Sequence, residues 1–222
     1  MKKIVLSALV AAFSLCANAQ YESKTGDMAV EVSFNPFSNS FNTVSLKGGQ
    51  ISAKYFISDK DAIRLNLGFG YDGTSDKQGD NDVSKHSGSF SLGAGIEEHF
   101  ASAGRLDFYA GGQLGISTTF GGAKVGNAEL SGGTIASGGW NIAENNVDAC
   151  STTISLKAFT GANFFVYKNL YVGAELGVAY AKKSYKDFEI KVGDTTTKKE
   201  NNMGKSSFGL YAEPALHLGW AF

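Results

Sequence analysis

The stretch Ile63-Arg64-Leu65-Asn66-Leu67-Gly68-Phe69-Gly70-Tyr71 decides the fold. Every odd position is apolar, and every even one is polar or glycine. In a β-strand successive side chains point to opposite faces, so this period of two describes a strand with one greasy face and one polar face. The same alternation recurs along the chain. Met28, Val30, Val32 and Phe34 share a face, as do Ile51, Ala53, Tyr55 and Ile57. Phe90, Leu92, Ala94 and Ile96 form another, and Leu106, Phe108, Ala110 and Leu114 a further one. Ile154, Leu156, Ala158, Ala162 and Phe164 follow, then Leu170, Val172, Ala174, Leu176 and Val178. Phe208, Leu210, Ala212, Leu216, Leu218, Trp220 and Phe222 close the series, which makes eight candidate strands.

The connections alternate in length. Short turns are expected around residues 58–61, 101–104 and 167–169, and long polar loops over 35–47, 72–87, 117–152 and 182–206. Strands joined in this way form an all-β, eight-stranded antiparallel up-and-down barrel. Alternation alone does not say whether the apolar face points inward, as in a soluble barrel, or outward toward lipid. Glycine favours the second arrangement. It is 28 of 222 residues, well above the ~7% usual in proteins. Much of the excess falls on the polar face, at Gly68, Gly70, Gly93, Gly95, Gly173, Gly177 and Gly209. Glycines weaken a solvated strand but leave room inside a narrow barrel for bulky neighbours such as Tyr109.

Aromatic residues on the apolar face gather toward the strand ends. Phe34, Tyr71, Phe90, Tyr180 and Phe208 lie toward the long loops; Tyr55, Phe108, Phe164, Trp220 and Phe222 lie toward the short turns. Two such girdles mark the two interfaces of a bilayer. The chain stops on Phe222, with Trp220, Leu218 and Leu216 on the same face. In these features it resembles the small outer-membrane β-barrel superfamily, the OmpA/OmpX-like eight-stranded barrels. The resemblance implies a transmembrane barrel in the outer membrane of a Gram-negative bacterium. It also implies that Leu216, Leu218, Trp220 and Phe222 act as a C-terminal signal for the barrel-insertion machinery. It covers residues 20–222, and it carries no catalytic motif. The peptidoglycan-binding domain that follows some barrels of this type is not expected here.

Met1-Lys2-Lys3, the apolar run from Ile4 to Cys16 and Ala17-Asn18-Ala19 form a secretory signal pattern. Cleavage after Ala19 is expected, which divides the chain into a signal peptide (1–19) and an outer-membrane β-barrel domain (20–222). Leu15 before Cys16 argues against lipoprotein processing. Cys150 is then the one cysteine of the mature chain and has no intramolecular partner. No later segment is long and apolar enough for a membrane helix, which needs about 20 residues. Lysine and arginine number 20 against 21 acidic residues, with no basic run, so nucleic-acid binding has no support.

An eight-stranded barrel encloses little more than its own side chains. The polar face assigns Glu31, Lys54, Arg64, Glu97, Asp107, Lys157, Glu175, Glu213 and His217 to the lumen. Both signs are present, so a salt-bridged network that plugs the barrel is expected; a narrow gated path for ions or small solutes is the alternative. Pro214 predicts a broken ladder bond or bulge in the last strand, and Gly48-Gly49 a bulge before the second.

Other motifs lead to little. Gly68 to Gly73 matches G-x-G-x-x-G, but a polar loop is expected after it where a nucleotide site requires a helix. Asp76, Asp80 and Asp82 lack EF-hand spacing, and His86, His99 and His217 lack metal-ligand spacing, so neither metal nor cofactor is expected. His86-Ser87, with Asp82 nearby, imitates the groups of lipid A-modifying barrel enzymes, but adjacent strand residues point to opposite faces. In the third long loop, residues 127–136 read as a protruding hairpin turning at Ser131-Gly132-Gly133. Trp140 beyond it either packs on the barrel mouth or meets an extracellular ligand.

The expected role is structural, or surface interaction through the loops, without enzymatic activity. The expected partners are outer-membrane lipid, lipopolysaccharide, the insertion machinery and an extracellular ligand. A porin-like channel is the second reading, and a lipid A-modifying enzyme the third.

Overall fold

The computed structural model describes residues 23–34, 50–78, 81–135, 142–143 and 146–222, with the backbone alone at 33–34, 78, 81 and 211–217. Thirteen strands are described: β1 (Met28–Phe34), β2 (Gln50–Phe56), β3 (Asp61–Gln78), β4 (Asn81–Ala103), β5 (Leu106–Val125), β6 (Ala128–Ser131), β7 (Gly133–Ile135), β8 (Val147–Ala149), β9 (Ser151–Tyr167), β10 (Leu170–Tyr185), β11 (Phe188–Val192), β12 (Thr195–Lys199) and β13 (Gly204–Ala221). Eight of them close a ring. β1 through β5 pair in sequence, β5 pairs with β9, β9 with β10, β10 with β13, and β13 returns to β1. Every pairing is antiparallel. The closure register runs from Ala29↔Ala221 to Phe34↔Leu216. A closed sheet has no free edge, so backbone donors and acceptors of the wall pair strand to strand around the ring.

The apolar face points outward. On β3, Ala62, Arg64, Asn66 and Gly70 are buried, while Ile63, Leu65, Leu67, Phe69 and Tyr71 are 41%, 49%, 51%, 62% and 61% exposed. Arg64 is 2% exposed. That is a polar interior and an apolar exterior, the inverse of a soluble barrel. The short turns lie at one end, with the paired termini: Phe222 N donates to Met28 O (2.8 Å) and Met28 N to Phe222 O (2.9 Å). Gly104 makes the β4–β5 turn at φ +61°, a left-handed conformation that favours glycine. Lys168 makes the β9–β10 turn at φ +43°.

At the other end the wall continues beyond the barrel, and here the loops expected from sequence are corrected. Residues 72–78 and 81–87 form the far halves of β3 and β4, paired from Asp72↔Ser87 to Gln78↔Asn81. The expected hairpin turning at Ser131-Gly132-Gly133 does not form. The tight turn lies earlier, at Gly126-Asn127, and β6 folds back on β5 with Val125↔Ala128. β7 pairs instead with β8, and the outer edge of β6 is filled by β11 from the last long loop, Ile190↔Leu130. β12 then pairs with β11. The result is an upper tier in the order β3-β4-β5-β6-β11-β12.

Polarity reverses where this tier begins. Outward on β5, the apolar Leu114, Ile116 and Phe120 give way to Gly122 and Lys124. Inward, Gln113, Ser117 and Thr119 give way to Ala123 and Val125. Ala123, Leu130 and Phe188 form a buried cluster there, covered by Ile135, Ile142, Val147, Ala149 and Ile190. One continuous strand thus has an apolar interior and a polar exterior above, and a polar interior and an apolar exterior below, as a strand leaving a bilayer requires.

The register of β10 on β13 jumps between Gly173↔His217 and Glu175↔Glu213, so β13 carries two extra residues around Pro214. A residue without an N–H is tolerated at such an irregularity. Gly48-Gly49 and residues 1–22 lie outside the described residues.

Candidate functional site

The lumen is built in layers. At the turn end Ala29, Phe165, Tyr171 and Ala221 pack together, with the Phe165 and Tyr171 ring centroids 5.1 Å apart. Gly219 opposite admits the Tyr171 ring, because a methyl group there would overlap it. The Tyr171 hydroxyl donates to Glu31 Oε1 at 2.7 Å and ties this apolar floor to the charged layer above.

That charged layer is continuous. Lys54 Nζ lies 2.8 Å from Glu31 Oε1 and 2.9 Å from Glu97 Oε2. Arg64 reaches Glu97 Oε1 at 3.0 Å, Glu175 Oε2 at 2.7 Å and Glu31 Oε2 at 3.6 Å. His99 sits on its flank, Nδ1 2.7 Å from Asp107 Oδ2 and Nε2 3.5 Å from Glu97 Oε2. Lys54, Arg64, Glu31 and Glu97 are each at most 2% exposed. Charges so far from water persist only when each has an opposite neighbour, and here each does. Rings fill the remaining cross-section. Lys54 Nζ is 4.6 Å from the centroid of the fully buried Tyr109, and the Arg64 guanidinium 4.8 Å from that of Phe159. Gly161 leaves the space that the Tyr109 ring occupies.

Above the belt, Asn66 Nδ2 donates to Gln113 Oε1 over Gly93 of the intervening strand β4. Beyond this bridge lie a cavity of about 180 Å³, lined by Gln50, Ser91, Ser117, Ser155 and Lys157 among others, and a mouth of about 500 Å³ toward the upper tier. At the mouth Cys150 joins three segments: its N–H donates to Gly132 O (2.9 Å) and its carbonyl accepts from Lys186 N (2.7 Å). Burial pushes the Cys150 thiol up, against the pull of the nearby Lys186 ammonium. Lys186 Nζ donates to Thr118 Oγ1 at 2.6 Å, bracing the rim.

Of the residues assigned to the lumen from sequence, Glu31, Lys54, Arg64, Glu97, Asp107 and Glu175 meet in this network, and Lys157 lines the cavity above it. The side chains of Glu213, His217 and Leu216, and all of Trp140, lie outside the described residues. Leu218, Trp220 and Phe222 are 46%, 47% and 60% exposed on the outer face. Sequence reasoning missed His99, Asn163, Phe159, Phe165 and Tyr171. Strand parity could have found Tyr171, which falls in phase with Gly173 and Glu175. His86 is exposed and the adjacent Ser87 lines the mouth, so they form no pair. Among the described residues no group of three His, Cys, Asp or Glu side chains could hold a metal ion.

No family model and no curated protein sequence matches the chain. Solved structures similar to it are outer-membrane proteins. The N-terminal β-barrel domain of Pseudomonas aeruginosa OprF is 15% identical, with 90% of this chain and 100% of that one covered and a TM-score of 0.41. Ail, the attachment invasion locus protein of Yersinia pestis, is 11% identical, with 89% and 99% covered and a TM-score of 0.40. Neisserial surface protein A is 18% identical, with 88% and 92% covered and a TM-score of 0.36. The eight-stranded antiparallel barrel rests on the closed strand order and the inverted burial described above, not on these likenesses.

Proposed function

We propose that this chain is an exported outer-membrane barrel of a Gram-negative bacterium, cleaved after Ala19, that seals its own lumen and displays the upper tier to the cell exterior. Its role in this reading is structural and interactive. The barrel anchors in lipid and lipopolysaccharide, delivered there by insertion machinery that reads the Leu218-Trp220-Phe222 face, and the tier meets an extracellular partner. The carrying observation is the reversal of polarity along β5, from Leu114 outward below to Lys124 outward above. A soluble barrel has no reason to exchange its faces in mid-strand.

The charged belt supports sealing over conduction. Opening a path past Arg64 would separate it from three carboxylates, each within 3.6 Å. Planar-bilayer recording of the purified barrel tests this, and a steady conductance that changes on replacing Arg64 would overturn it. The narrow-channel reading keeps one observation in its favour, the two cavities on the loop side of the belt. An enzyme acting on lipid A is not favoured, because His86 and Ser87 occupy opposite faces of β4. Unchanged lipid A mass spectra in a deletion strain are the expected result. Heat-modifiable migration on gels tests the barrel itself.

A further inference from the structure

The mouth above the belt is a well on the upper-tier side of the smaller cavity that Asn66 and Gln113 line. Its volume of about 500 Å³ is that of a small-ligand site. Its walls come from many elements, and small hydroxyl side chains recur among them beside Tyr71, Phe120, Ala149, Cys150 and Tyr185. β4 contributes Ser87 and Ser89, β5 Thr119, β9 Ser151 and β7 Thr134. Two carboxylates, Asp72 and Asp148, join them, with Lys183 as the one cation.

Hydroxyl groups both donate and accept, so a ring of them suits a ligand whose own groups do both. A carboxylate accepts from two neighbouring hydroxyls at once. Two carboxylates against one ammonium disfavour an anion, and a wholly apolar guest would leave those charges and five hydroxyls without partners. The site is also held in shape. Thr134 and Asp148 face each other in the β7–β8 register. That hairpin lies so close to β5 that a methyl group on Gly121 would come within 2.6 Å of Thr134 Cγ2. Val147 and Ile135 pin it to the buried Ala123–Leu130–Phe188 cluster. Ser151 N donates to Thr119 Oγ1 at 2.8 Å, fixing the rim between β5 and β9. Rigid walls spare the ordering cost of binding.

We propose that this well binds a neutral saccharide unit, with Asp148 and Asp72 accepting hydrogen bonds from its hydroxyls. The inference rests on the outward-facing orientation of the tier given above. The test is an NMR titration of the folded barrel, in a detergent without a sugar headgroup, with N-acetylglucosamine, glucose and maltotriose. A second arm uses delipidated lipopolysaccharide core oligosaccharide, which separates the cell's own surface glycan from a free sugar. A third uses inorganic phosphate. Saturable shifts confined to the mouth are expected in the millimolar range with at least one sugar arm. Asp148→Asn should weaken them about tenfold, the loss of one charge-assisted hydrogen bond, and Ser89→Ala should weaken them less. Leu114→Ala, on the outer face, should leave them unchanged. No saturation with any sugar, binding indifferent to Asp148→Asn, or tighter binding of phosphate would each overturn the site. Heat-modifiable migration of the same sample keeps the outcomes apart: a folded barrel that binds no sugar refutes the well and leaves the membrane reading standing.

Discussion

Replacing Leu67 by arginine tests the orientation of the whole barrel. Leu67 stands 51% exposed at the middle of the outward β3 series from Ile63 to Tyr71. Eight steps at ~3.4 Å cover ~27 Å of strand, and a tilt of ~40° leaves ~21 Å along the barrel axis. Leu67 therefore lies ~10 Å from either end of the apolar band, near the bilayer midplane. Arginine at the midplane of such barrels costs ~2–4 kcal/mol, and near an interface ~0–1 kcal/mol. Leu67→Arg should fall in the first range, and Ile63→Arg and Tyr71→Arg in the second. Lys124→Leu, on the same face of β5 but beyond Phe120, should change stability by less than ~0.5 kcal/mol. The assay is reversible denaturant unfolding in lipid vesicles, read as the fraction of heat-modifiable species. Equal costs for the three arginine variants, or a Leu67→Arg variant that is stabilised, would refute the placement of this face in lipid.

Three further outcomes are expected. Lys54→Met removes the ammonium that neutralises Glu31 and Glu97 at 2.8 and 2.9 Å, and should destabilise the folded barrel by ~3–5 kcal/mol; adding Glu31→Gln should recover part of that loss in the same unfolding assay. Gly219→Ala overlaps the Tyr171 ring and should cost ~1–3 kcal/mol through overpacking, whereas Gly209→Ala, with open space around it, should cost less. At the turn end, Thr25 N and Oγ1 donate to Asp59 Oδ1 at 2.9 and 3.0 Å and hold its carboxyl below the usual carboxylate range. A depressed folded value means that this contact contributes fully above the unfolded value and is lost as pH falls through the folded one. Proteolysis just before β1 should therefore quicken in acid, and Asp59→Asn should abolish that pH dependence.

Much of the barrel was legible in the chain. The period of two at Ile63–Tyr71 reports which residues share a face, and the alternation of Met28, Val30, Val32 and Phe34 falls within the observed strand β1. That signal requires one wet face and one apolar face. Beyond the membrane band it disappears, because Asp72, Gly73, Thr74, Ser75, Asp76, Lys77 and Gln78 are polar or glycine on both sides, so the pattern predicts a loop where the strand runs on to 18 residues. The hairpin in the third loop failed for a different reason. β6 finds its outer partner in β11, about sixty residues later, and no local pattern announces a pairing made across that distance. Tyr171 and Phe165 lie in phase with the inward positions of β10 and β9, but close to the turn, where few neighbouring polar residues mark that face.

The lumen divides along the same line. Parity placed Glu31, Lys54, Arg64, Glu97 and Glu175 on one face, since each strand carries its own alternation. Which of them meet was decided by closure and register. Lys54↔Arg64 are neighbours on β2 and β3, yet Arg64 reaches across to Glu175 on β10, 111 residues away. The sequence by itself thus determined two faces, the outward turn of the apolar one and the order of the eight barrel strands. Only the tertiary structure decided that the inward charges lock into one layer and that the faces exchange above Phe120. The physical reason is that alternation is a property of a single strand, whereas contacts between strands exist only once the sheet has closed.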